Sequence, residues 1–105
     1  MNLTEILDAL RQWLAGLDVP ARVLTDRADA LRVIFETENG LAELLAGGGA
    51  CAPYRFVSFT GLDLRQDPYA EPVFSFCDDA SHTAAEILRE LDRGMAVMGM
   101  LTGSQ

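Results

Sequence analysis

Val73-Phe-Ser-Phe-Cys77 runs directly into Asp78-Asp-Ala-Ser-His-Thr83, and from there into an amphipathic run carrying Ala84, Ile87, Leu88, Leu91, Met95 and Met98. The first five residues alternate as a strand does, with Phe74 and Phe76 on one face and Val73 and Cys77 on the other. The apolar residues after Thr83 recur at three- and four-residue steps, the period of one helical stripe. Between them lies what a helix start requires. Asp78 and Asp79 complement the positive end of the helix dipole, Ser81 or Thr83 can cap, and Thr83-Ala-Ala-Glu86 has the spacing of a capping box. The remaining elements must pack against this strand–helix pair. Gly94 and Gly99 weaken its last turns, each by about 1 kcal/mol relative to alanine, and the chain is expected to fray over residues 101–105.

A second helix is expected at the other end. Leu3, Ile6, Leu7, Leu10, Trp13, Leu14 and Leu17 form one stripe, Asn2 and Glu5 stand at capping-box spacing, and Gly16 suits a left-handed stop. Val19-Pro20 then biases the chain toward extended backbone. Strands are expected over residues 22–25 and 31–37, joined as an antiparallel hairpin. Leu31, Val33 and Phe35 should be buried, and Arg32, Ile34 and Glu36 should lie on the other face.

After the turn at Glu38-Asn39-Gly40, Leu41, Leu44 and Leu45 fall at helical spacing, which predicts a short helix. The competing reading is a strand, because Asn-Gly between apolar runs is also a hairpin signal. Gly47-Gly48-Gly49 is a connector, since it lacks the spacing of a phosphate-binding loop. Pro53 opens a strand over residues 54–60, and a proline-containing loop over 61–72 leads back to the strand at 73–77.

These elements predict one α+β domain spanning residues 1–105, a two-layer sandwich in the order α-β-β-(short α)-β-β-α. A four-stranded antiparallel sheet carries the two long helices on one face. Trp13 and Leu10 should meet Leu88 and Leu91 over Phe35, Phe59 and Phe74. This order, in an acidic chain, is similar to the small bacterial chaperones that hold effector proteins for type III export, and less closely to several phage tail-assembly folds. The likeness is one of architecture, which does not carry function.

Composition removes several classes of function. The net charge of −8 repels phosphate backbones and anionic lipid headgroups, so neither nucleic acid nor a membrane surface is an expected partner. All eight basic residues are arginine. Without lysine there is no Schiff base and no Walker-type phosphate lysine. A single histidine excludes sites needing two on one chain. The N-terminus lacks a leader pattern and no apolar run reaches the ~20 residues of a membrane span, so the chain is expected in the cytoplasm with Cys51 and Cys77 as thiols.

The residues with chemistry gather at the junction. Cys77, Asp78, Asp79 and His82 mix soft and hard ligands that could in principle hold zinc, but Cys77 and Asp78 should point to opposite sides and no second distant ligand pair completes a tetrahedron. As a thiol nucleophile Cys77 would need His82 as its base, with Asp79 beside it. Asp63 and Asp67 form a second carboxylate pair, on a loop. No cofactor is implied.

The composition and pattern therefore favour a non-catalytic acidic protein-binding module of chaperone, adaptor or inhibitor type. The alternatives are a small enzyme or metal site at Cys77 and His82, and a subunit of a larger assembly such as a phage tail. The expected contact residues are Tyr54, Phe56 and Val73 on the sheet's second face, with Met95 and Met98 at the adaptable helix end. The partner is a protein or a second copy, as a homodimer through either surface.

Overall fold

The computed structural model describes residues 2–38, 40–47, 56–65, 71–79 and 82–99. Helix α1 spans Leu3–Ala15, with the Asn2 side chain accepting the Glu5 N–H at 2.9 Å and Ile6, Leu7 and Leu10 fully buried. It ends at Gly16 in right-handed backbone, φ −88°, so the expected left-handed stop is not there. Helix α2 spans Ala84–Val97 and carries the reciprocal capping box: Glu86 N–H donates to Thr83 Oγ1 at 3.2 Å and Thr83 N–H donates to Glu86 Oε1 at 3.0 Å. The left-handed residue lies past this helix, at Gly99 with φ +72°, where the absence of a Cβ removes the strain.

Between the helices run β1 (Ala21–Arg27), β2 (Ala30–Glu36), β3 (Gly40–Gly47), β4 (Val57–Asp63) and β5 (Phe74–Cys77). They form one antiparallel sheet in the order β1-β2-β3-β4-β5, each strand beside its neighbour in sequence. The broad α+β class stands, and two expectations are corrected. The sheet has five strands where four were expected, because residues 40–47 form its central strand in place of a short helix. The loop expected over 61–72 also begins later, because β4 continues to Asp63.

The reason for the central strand is visible in its pairing. β3 is hydrogen-bonded to β2 from Leu41 to Gly47 and to β4 from Gly40 to Ala46. Satisfaction of both backbone edges outweighs the helix preference of its Ala, Leu and Glu residues, since strand preference is set largely by neighbours. Ala42, Leu44 and Ala46 point to the helix layer and are fully buried; the alanines leave room for the helices above.

The core lies between that face and the two helices. Leu31, Val33 and Phe35 of β2, Val57 and Phe59 of β4, and Ile87, Leu91 and Met95 of α2 join the α1 stripe in one cluster. The aromatic rings run across the sheet edge to face. Trp13 contacts Phe35 with centroids 6.1 Å apart, Phe35 contacts Phe59 at 6.1 Å, and Phe59 contacts Phe74 at 5.9 Å. Trp13 Nε1 donates to Asp92 Oδ1 at 2.7 Å, tying α1 to α2. Leu10, Trp13, Leu88, Leu91, Phe35, Phe59 and Phe74 all belong to or pack against this one cluster.

Candidate functional site

The strand–helix junction separates its reactive side chains. Cys77 pairs in register with Ser58 and so stands on the face away from the helices, whereas Phe76 pairs with Phe59 on the helix face. The His82 ring packs edge-on against Phe76, centroids 5.3 Å apart. Thiol and imidazole are thus on opposite sides of the sheet, and His82 is not placed to serve as base for Cys77.

The partner of His82 is Asp79. Its Nδ1 lies 3.0 Å from the Asp79 N–H and 3.2 Å from Asp79 Oδ1. The amide can only donate, so a neutral ring accepts there and carries its proton on Nε2; a protonated ring would turn the same nitrogen into a donor toward the carboxylate. Either state closes a local turn before the helix. Among the described residues, no three His, Cys, Asp or Glu side chains converge as a metal-ligand set.

Asp78 has a role that sequence reasoning missed. It is buried, 3 % exposed, and its Oδ1 accepts the N–H groups of Phe56 and Val57, each at 2.9 Å. Its own N–H donates to Val57 O at 3.2 Å. The carboxylate thereby continues the β4–β5 ladder past the end of β5. From sequence it reads as a helix-start acid, and nothing local distinguishes that from a strand-end clamp. Oδ2 has no hydrogen-bond partner among the described residues.

Of the second carboxylate pair, Asp63 is bound to Arg65, accepting its backbone N–H at 2.9 Å and its guanidinium at 3.0 and 2.9 Å. Those bonds, the side-chain ones first, hold the Asp63 carboxyl below its ordinary range and raise the guanidinium of Arg65. Asp67 lies outside the described residues, as do Cys51, Tyr54 and Ser81.

The sheet face opposite the helices is the larger feature. Across it run four rows set by the register, the shortest being the end row of Arg27, Ala30 and Gly47. Arg22, Ile34, Glu43, Thr60 and Ser75 form the middle row. Thr25, Arg32, Leu45, Ser58 and Cys77 lie on one side of it. Glu36, Leu41 and Leu62 lie on the other, extended by Val73, whose N–H donates to Gly61 O just before β5 begins. The β4 and β5 part is a low floor of hydroxyls, and the Leu41, Leu62 and Val73 row is an apolar strip whose outer two residues are exposed.

The β1 to β3 part is charged, with two internal ion pairs and Arg27 on its end row. Arg22 pairs with Glu36 and Arg32 with Glu43, both at 2.7 Å. The stems of these four side chains surround Ile34 and leave it only 8 % exposed. Two shallow depressions, about 200 and 210 Å³, lie to either side of Ile34. No helix covers this face among the described residues, and residues 40–47, where a short helix was expected, form a strand within it.

The expected contact residues divide. Val73 is exposed at the end of this face. Phe56 is half-buried and packs against the core, because the chain bends there before β4 begins and strand alternation does not yet govern it. Met95 is fully buried on the α2 stripe and offers no surface. Met98 folds back over the sheet end, where its sulfur would lie 2.5 Å from a Cβ added at Gly61. Leu41, Leu45 and Leu62 were missed as surface residues because a helical reading of 41–46 and a loop reading of 61–72 hid their alternation.

No family model, curated protein or solved structure matches this chain. No helix among the described residues is long and apolar enough to cross a membrane.

Proposed function

We propose that this chain is a non-catalytic protein-binding module, working in the cytoplasm, whose docking surface is the sheet face that no described helix covers. The observation that carries the reading is the exposed Leu62 and Val73 strip beside a flat floor of Ser58, Thr60 and Ser75. An apolar strip bordered by small polar groups suits a protein surface, since it offers area for burial without deep side chains to displace. The separation of Cys77 from His82 by the sheet supports docking over thiol chemistry.

The fitting partner presents apolar side chains flanked by basic ones. The −8 charge of the chain steers such a partner on approach, and the strip supplies the contact. The test is affinity isolation from the native cell at low salt, with the wild-type chain and with a Leu62→Arg/Val73→Arg double variant. A stoichiometric basic protein retained by the first and lost from the second is expected. Equal retention by both, or recovery of small metabolites alone, refutes the reading.

A further inference from the structure

The charged half of the same face points to a specific occupant. We infer that it binds a second copy of this chain through a two-fold axis diagonal to the strands, passing over Ile34 and Leu45. This rests on the open face being a docking surface and deepens that reading by naming an occupant.

The argument begins with charge. Arg22 and Arg32 balance Glu36 and Glu43 on this face and Arg27 stands on its end row, so none of the −8 excess lies among these strand residues. The basic flanks of a partner seated on the Leu62 and Val73 strip are drawn to that remainder, and the β1 to β3 half of the face offers them no net attraction. A second copy, repelled by the acidic remainder, meets no negative excess on these strands.

The arrangement is also self-complementary. Around Ile34 the four charges occupy the corners of a diamond: Arg22 beside it on β1, Glu43 beside it on β3, and Glu36 and Arg32 two residues away on either side along β2. The two positive corners are adjacent, and so are the two negative ones. A diagonal two-fold therefore sets Arg22 of each copy opposite Glu36 of the other, and Arg32 opposite Glu43. The axis passes over Ile34, which the four stems cover, and over Leu45, the β3 neighbour of Arg32.

A diagonal axis makes the two sets of strands cross near a right angle, which is one of the two ways sheets pack face to face. Off the axis the same operation sets Thr60 against Ala30, Ser58 against Gly47, Leu41 against Thr25 and Leu62 against Arg27. Val73 lies beyond this overlap.

The experiment is light scattering coupled to size exclusion at tens of micromolar protein, with two charge variants. Arg22→Glu/Arg32→Glu makes all four corners negative, and Glu36→Arg/Glu43→Arg makes all four positive. The altered pairs are exposed, and such pairs contribute little to folding; circular dichroism confirms that both variants fold. Expected are a wild-type mass about twice the 11.4 kDa of one chain, a single-chain mass for each variant alone, and a restored dimer when the two are mixed in equal amounts. A wild-type monomer overturns the inference. So do variants that still dimerise alone, or a mixture that fails to pair. A wild-type monomer that still shows capture dependent on Leu62 and Val73 overturns the second copy while leaving the docking surface intact.

Discussion

Substituting Gly94 by alanine sets two effects of known sign against each other. Alanine in a helix interior is more favourable than glycine by about 1 kcal/mol. A Cβ at Gly94, however, would lie 2.6 Å from Phe74 Cε1 and 2.7 Å from Phe59 Cε2, against the 3.5–4.0 Å at which carbon atoms attract. Phe59 is fully buried and held between Phe35 and Phe74, so it cannot move aside. Phe74 is half-buried on the short edge strand β5 and must yield, with an overpacking penalty of about 1–3 kcal/mol.

The net expectation for Gly94→Ala is a loss of about 0–2 kcal/mol, the difference of those two ranges. In a Phe74→Leu background the obstruction is smaller, so the same substitution should there be neutral or stabilising, with a coupling of about 1–3 kcal/mol between the sites. Urea denaturation followed by the fluorescence of Trp13, the one tryptophan, measures all four members of the cycle. Gain of about 1 kcal/mol from Gly94→Ala in the otherwise wild-type chain, which is the bare helix propensity, would mean that α2 does not rest on these rings.

Two further perturbations follow from the junction. Asp78→Ala leaves the Phe56 and Val57 N–H groups without their acceptor, and should destabilise by about 2–4 kcal/mol, with Asp78→Asn losing less because one oxygen remains. Hydrogen exchange should accelerate at those two amides, and unchanged protection in Asp78→Ala would remove the carboxylate from this role. Glu86 is held below its ordinary value near 4.5, first by the Thr83 N–H bond. Its contribution is then complete above that value and lost as pH falls through and below it. Glu86→Gln should accordingly lower the thermal midpoint near neutrality and leave it almost unchanged in strong acid; an equal shift at both would assign the effect to something other than the ionised capping box.

Much of this fold was legible because it is local. The two helices follow from stripes and caps contained in their own residues, and the alternation of Leu31, Val33 and Phe35 with Arg32, Ile34 and Glu36 identifies a half-covered strand. Residues 40–47 resisted because Leu41, Leu44 and Leu45 satisfy the helical period, whereas what makes them a strand is the presence of β2 and β4 on both sides. Gly94 shows the same limit: sequence records its poor propensity but not the two rings beneath it. At the candidate site, strand parity placed Cys77 and Val73 on the second face. The charge diamond became visible only with the register, since its corners come from three strands.

The nearest-neighbour order of the sheet also bears on how the chain is made. Each hairpin can close as soon as its second strand leaves the ribosome, because no strand waits for a distant partner. The cover over Phe59 and Phe74 is different, since it comes from α2, the last of these elements to be synthesised. For that interval the nascent sheet is paired along its backbone yet bare on its most aromatic side, which is the state that attracts chaperones or neighbouring chains. Release of α2 from the exit tunnel, rather than strand pairing, is then the event that makes the newborn protein safe.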